Sequence, residues 1–200
     1  KTKTGEGSFA RVMKGIELLH KYKVEFNTLS VVNAETSRQP LEVYHFLKHI
    51  GSGFIQFLPV VERTANNPRE DLLNLVAPVF GKDASVTEWS VEPVMYGRFL
   101  CTIFDEWVRN DVGRYFVQIF DVTLANWAGE RPGLCIFSET CGDALVMEHN
   151  GDLFNCDHFV YPEYFLGNIM KQSLKEMAGS EKQKQFGRYK RDKLPKYCFE

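Results

Sequence analysis

A repeated pairing of one helical stripe with one apolar run is the strongest constraint on this chain. Phe9, Val12, Met13, Ile16 and Leu19 recur at helical spacing, with Ser8 placed as the N-cap. Residues 24–32 (VEFNTLSVV) follow. They are β-branched and aromatic with little alternation, which predicts a strand buried on both faces. Val43, Phe46, Leu47 and Ile50 repeat the helical spacing between Pro40 and Gly51, and residues 54–61 (FIQFLPVV) repeat the strand. Helix, strand, helix, strand is the rhythm of a parallel sheet, so the fold class is α/β.

The rhythm breaks over residues 62–93. Asn66-Asn67-Pro68 is a turn signal, Leu72, Leu75, Val76 and Val79 predict a short helix, and residues 81–87 a loop. This stretch reads as an insertion. Tyr96, Phe99, Leu100, Ile103, Phe104, Trp107 and Val108 then form a pronounced helical stripe, assigned to core along with Cys101 inside it. Residues 114–120 (RYFVQIF) predict a third strand. After Gly129-Glu130-Arg131-Pro132 the character changes, which divides the chain into domains 1–128 and 129–200.

The second domain holds short runs. Asn150-Gly151 between residues 145–148 and 153–156 predicts a β-hairpin with a type I′ turn, both of whose central residues need positive φ. Asp152 is assigned to that turn. Ser173-Leu174-Lys175-Glu176 and Ser180-Glu181-Lys182-Gln183 both fit the capping box, so two short helices should meet near Gly179.

Net charge is −2, which supplies no global case for nucleic acid. Residues 171–198 are locally basic, and a solvated helical face accounts for them. No apolar run is long enough for a membrane span. The chain opens on Lys1-Thr2-Lys3-Thr4-Gly5, without Met or a signal region, so it reads as beginning inside a longer protein. Five cysteines and no signal region argue against a disulfide framework and for a reducing, cytoplasmic compartment.

Cys135-x5-Cys141-x14-Cys156 carries the chemistry. Folding the hairpin about Asn150-Gly151 brings Cys141 and Cys156 together, with Cys135 on the incoming loop. Three converging thiols suit an iron–sulfur cluster or zinc. Three unconnected cysteines packed as small hydrophobes fit the same spacing. Taken alone, Asp157 is a surface or structural carboxylate, and His158 a structural histidine or a zinc ligand.

Cys141-x9-Gly151-x4-Cys156 resembles the opening of the SPASM motif, the cluster-binding extension of a branch of radical-SAM enzymes, and Leu166-Gly167-Asn168-Ile169 resembles the stretch that follows it. Cys198 stands where the motif's next C-x2-C should begin. Cys135, Asp157 directly after Cys156, residues 21–27 (KYKVEFN) and residues 54–57 (FIQF) are similar to the anaerobic sulfatase-maturating enzymes.

That resemblance implies that residues 1–128 are the later part of a partial (β/α) radical-SAM barrel and residues 129–200 the start of a SPASM domain. Cysteines matching Cys135, Cys141 and Cys156 ligate an auxiliary [4Fe-4S] cluster whose fourth ligand would lie past Glu200, and Cys198 belongs to a second cluster. The aspartate matching Asp157 is the general base. The residue aligning with Val61 lies against S-adenosylmethionine. The implied activity of the full-length enzyme is oxidation of a Cys or Ser in a sulfatase polypeptide to Cα-formylglycine. After hydrogen abstraction from the substrate Cβ, a proton and an electron must leave. Asp157, as a partly buried carboxylate with its pKa raised, suits the proton, and the cluster suits the electron. The radical-SAM signature C-x3-C-x2-C does not occur here. This segment alone is therefore expected to be inactive, to hold no metal or adventitious zinc, and to self-associate through an unpaired edge strand. The alternatives are another peptide-modifying enzyme with the same extension and a non-enzymatic metal-binding or regulatory module.

Overall fold

The computed structural model describes residues 5, 7–65 and 84–196. Two units divide the chain, Lys1–Asp121 and Val122–Glu200. The first contains α1 (Phe9–Lys21), β1 (Asn27–Val32), α2 (Pro40–His49), β2 (Phe54–Pro59), β3 (Arg63–Ala65), β4 (Ala84–Val86), α3 (Pro93–Asn110) and β5 (Phe116–Val117), and the boundary falls inside α4 (Gln118–Trp127).

The punctuation read from the sequence is the punctuation that builds these elements. Ser8 sits at the N-cap of α1, although its carbonyl rather than its hydroxyl accepts from the N–H groups of Arg11 and Val12. Pro40 opens α2 and Gly51 closes it at φ +80°, where a Cβ would stand 2.6 Å from the His20 ring. β1 and β2 pair in parallel from Asn27↔Phe54 to Val32↔Pro59, and β5 joins β2 in parallel at Phe54↔Phe116 and Ile55↔Val117. The sheet order is β1-β2-β5, so β1 and β5 are its edges among the described residues.

Burial departs from the expectation of strands covered on both faces. Val32, Ile55, Phe57 and Val117 are buried among Tyr44, Leu47, Phe99, Ile103 and Trp107. On the opposite face Leu29 is 63% exposed and Phe54 48%, the latter stacked on Phe116 at 4.9 Å. Among the described residues, helices cover one face only. The run looked fully buried because apolar residues occupy both parities of β1 and β2.

Three further expectations are corrected. Residues 84–86, read as loop, form β4 and pair antiparallel with β3. The short helix expected around Leu72–Val79 lies outside the described residues. The strand expected over residues 114–120 contributes only Phe116 and Val117, after which the chain turns helical as α4. Helical geometry there swings Phe120 back onto Phe104 and Trp107, at ring separations of 5.3 and 5.4 Å. Cys101, read as core, is exposed, because it lies two residues from Phe99 and so on the far side of α3 from Phe99, Ile103 and Trp107. No helix among the described residues is long and apolar enough to cross a membrane.

The second unit holds β6 (Val146–Met147), β7 (Asp152–Phe154), β8 (Phe165–Asn168), α5 (Leu174–Ala178) and α6 (Glu181–Asp192). β6 and β7 form the expected hairpin, and β8, which contains Leu166-Gly167-Asn168, extends it to an antiparallel sheet β6-β7-β8. The turn is not type I′. Among the described non-glycine residues only Lys23 has positive φ, so Asn150 keeps negative φ and Gly151 alone takes φ +87°. The Gly151 N–H donates to Glu148 O at 2.9 Å, closing a tight turn followed by a left-handed glycine. Asp152 N–H donates to Asn150 Oδ1 at 3.0 Å, and Asn168 Nδ2 donates to Asp152 Oδ1 at 2.9 Å, so Asp152 does serve the turn. Ser173 and Glu176 complete a capping box at α5. At α6 only half of the second box forms, with Ser180 accepting from Gln183 N–H.

Candidate metal centre

Cys156 lies two residues past the end of β7, Cys135 opens a short 3-10 turn at Cys135–Phe137, and Cys141 lies on the loop leading to β6. Cys156 is buried, Cys135 and Cys141 are half-buried, and all are free thiols. Burial pushes the Cys141 thiol up; the Lys190 ammonium pulls it down, and Cys135 pushes it up again. Burial also raises Cys156, with the Asp157 hydrogen bond and charge and the Cys135 charge adding to it. Cys135 thus bears on both other thiols. A metal would relieve the cost of ionising them together.

Helix α6 brings the three segments together. Gln183, 3% exposed, accepts from Asn155 Nδ2 at 2.5 Å and donates Nε2 to Gly142 O at 2.6 Å and Asn155 O at 3.1 Å. One turn on, the Gly187 carbonyl accepts the Cys141 N–H at 3.2 Å. Another turn on, Lys190 Nζ donates to the Cys135 carbonyl. A Cβ at Gly187 would collide with the Cys141 carbonyl oxygen. In an ordinary helix interior Gly→Ala stabilises by roughly 0.5–1 kcal/mol. Here the sign should reverse, with Gly187→Ala costing roughly 1–3 kcal/mol as the Cys141 loop is pushed off the helix. The urea midpoint of the variant tests this, and an unchanged or higher midpoint would refute the close contact. Sequence reasoning predicts this helix but misses the close approach of the cysteine segments to it. Its signal was a glycine inside a helical pattern, which often marks a close backbone approach.

Asp157 departs from the expectation of a partly buried carboxylate with a raised pKa. Its side chain is 62% exposed. The hydrogen bond from Cys156 Sγ, at 3.2 Å, and the His158 ring, at 3.0 Å, hold its carboxyl below the usual range. Cys156, Asp157 and His158 place one ligand atom each within 4.8 Å of the others. Val61 lies in the first unit, exposed just past the carboxyl end of β2, where Val60 N–H donates to Val32 O at 2.9 Å. Ligands of open parallel sheets bind at that end of the strands. Cys198 lies outside the described residues.

Residues 135–200 match SPASM, an iron–sulfur cluster-binding domain. This sets the class: a SPASM chain whose described thiols Cys135, Cys141 and Cys156 form a donor set suited to such a cluster. Over 200 residues the chain is 51% identical to the serine-type anaerobic sulfatase-maturating enzyme of Bacteroides thetaiotaomicron, covering 100% of this chain and 48% of that protein. Over 183 residues it is 33% identical to the cysteine-type anaerobic sulfatase-maturating enzyme of Clostridium novyi, covering 90% of this chain and 45% of that one. The structure of native anSMEcpe with bound AdoMet superposes with a TM-score of 0.79 at 28% identity, covering 100% of this chain and 50% of that one. The chain is thus similar to anaerobic sulfatase-maturating enzymes in sequence and in fold along its whole length, and it spans about half the length of the curated relatives it matches.

Proposed function

We propose that the full-length protein containing this chain is a radical-SAM oxidoreductase that converts a Cys or Ser of a sulfatase polypeptide to Cα-formylglycine. Three free thiols on segments that α6 holds together, with a carboxylate directly after one of them, carry the reading. When bound, S-adenosylmethionine supplies hydrogen abstraction and an auxiliary [4Fe-4S] cluster supplies one-electron oxidation. Cys135, Cys141 and Cys156 are the ligands this chain offers to that cluster, and Cys198 is a ligand of a second. Val61 borders the S-adenosylmethionine site at the carboxyl end of the sheet.

Asp157 receives the substrate proton. Its exposure gives a peptide access to the carboxylate, and the His158 ring beside it at 3.0 Å favours the ionised form that a base needs. Its Oδ1 is already held by His158, which leaves Oδ2 to face the substrate.

The test is iron and turnover together. In the full-length protein reconstituted without oxygen, Cys141→Ala is expected to remove about one cluster's worth of iron and visible absorbance and to abolish formylglycine formation on a sulfatase-derived peptide. Iron content equal to the unsubstituted protein would take Cys141 off the ligand set. No oxidation of either Cys- or Ser-containing peptides by the unsubstituted protein would refute the activity.

A further inference from the structure

Gln183, Gly187 and Lys190 stand at i, i+4 and i+7 on α6, one stripe of the helix, and between them they touch the backbone of all three cysteine segments. The first two contacts are neutral and act by shape and hydrogen bonding. Lys190 is different. It is half-buried, bonded through Nζ to the Cys135 carbonyl, and its charge bears on the Cys141 thiol against the opposing charges of Cys135 and Asp143. Holding a long ammonium side chain in one place costs rotamer entropy and some hydration. A neutral donor would brace a carbonyl equally well, so the charge itself calls for a use.

We propose that Lys190 sets the redox poise of the centre formed by Cys135, Cys141 and Cys156, raising the reduction potential of the cluster these thiolates hold. This rests on the cluster reading above. A thiolate-ligated cluster gains one negative charge when it takes up one electron, so a fixed cation nearby favours the reduced form over the oxidised form. A higher potential suits a centre that must accept an electron from substrate rather than donate one.

The experiment is a mediator-coupled redox titration of the anaerobically reconstituted full-length protein, reading the part of the reduced-cluster signal that Cys141→Ala removes. Lys190→Met should keep its iron. At a fixed solution potential its ratio of reduced to oxidised cluster should fall about tenfold, which for one electron is about 59 mV. Lys190→Arg, which keeps the charge, should stay within about twofold of the unsubstituted protein. Lys190→Gln, which keeps a donor for the Cys135 carbonyl but not the charge, should follow Lys190→Met and provides the same measurement if methionine costs iron. An unchanged ratio in both neutral variants overturns the proposal, whether their iron is intact or partly lost, because Lys190 would then be a brace alone. Absence of Cys141-dependent iron in the unsubstituted protein overturns the cluster reading itself, and this inference with it.

Discussion

Asp111→Ala is expected to cost the first unit roughly 3–5 kcal/mol of stability, as breaking a buried charged network does. Asp111 caps the C-terminus of α3 and is 3% exposed. Its Oδ2 accepts from Tyr44 Oη at 2.8 Å and from Lys48 Nζ at 2.8 Å, both on α2. Its carbonyl accepts from the N–H groups of Arg114 and Tyr115 at 2.9 and 3.0 Å, shaping the turn into β5. Removing the carboxylate leaves the Tyr44 hydroxyl without its acceptor in a fully buried position. Lys48 has 18% of its side chain exposed and keeps Glu106 at 3.7 Å, so its charge is partly relieved, which places the cost near the lower end. Asp111→Asn keeps an acceptor for Tyr44 and should cost less. Burial first, then the Asp111 hydrogen bond and charge, raise the Tyr44 pKa above its ordinary 10.0. A raised folded pKa means that this contribution is complete below about pH 10 and is lost as pH climbs beyond it. Urea midpoints of both variants, measured at neutral pH and above pH 10, check the ranking and the sign. A cost below about 1 kcal/mol for Asp111→Ala would show that the network is not coupled to folding.

How much of this was legible in the sequence depends on whether the deciding contact is local. Pro40 and Gly51 bound α2 through their own backbone preferences, so that helix could be read directly. Residues 114–120 could not. Phe116, Val117, Ile119 and Phe120 satisfy strand and helix patterns alike, and the choice is made by Phe120 meeting Phe104 and Trp107. Asn150-Gly151 marked the hairpin correctly. The turn type was misread because Gly151 alone needs positive φ and the Asn150 side chain is used as a hydrogen-bond acceptor. At the site, the spacing about the hairpin was enough to put Cys141 before β6 and Cys156 just after β7. What organises the three thiols is α6, and its residues were read for local roles only. Gln183 was assigned to a capping box, yet its side chain reaches across 28 residues to Asn155 and 41 residues to Gly142. Lys190 was one positive charge in a basic run until its neighbour proved to be the Cys135 carbonyl.

Asp157→Asn in the full-length protein is expected to lower formylglycine formation by roughly 10²–10⁴-fold, the range typical of losing a general base. The substitution is close to isosteric, and the amide oxygen can still accept from His158, so the loop after β7 should hold. What is lost is the negative charge beside the His158 ring. Asp157 belongs to the SPASM region, whereas S-adenosylmethionine cleavage needs a C-x3-C-x2-C site that does not occur in these 200 residues. Cleavage should therefore continue in the variant, and 5′-deoxyadenosine should accumulate without a matching amount of oxidised peptide. Measuring the two products side by side, with iron content as a control, separates three outcomes. Uncoupling with full iron content supports Asp157 as the base. A parallel fall of both products identifies Asp157 as a brace for the Cys156 loop instead. Unchanged yields of both would place the base elsewhere, and the exposed Asp157 and His158 side chains would then have no part in proton removal.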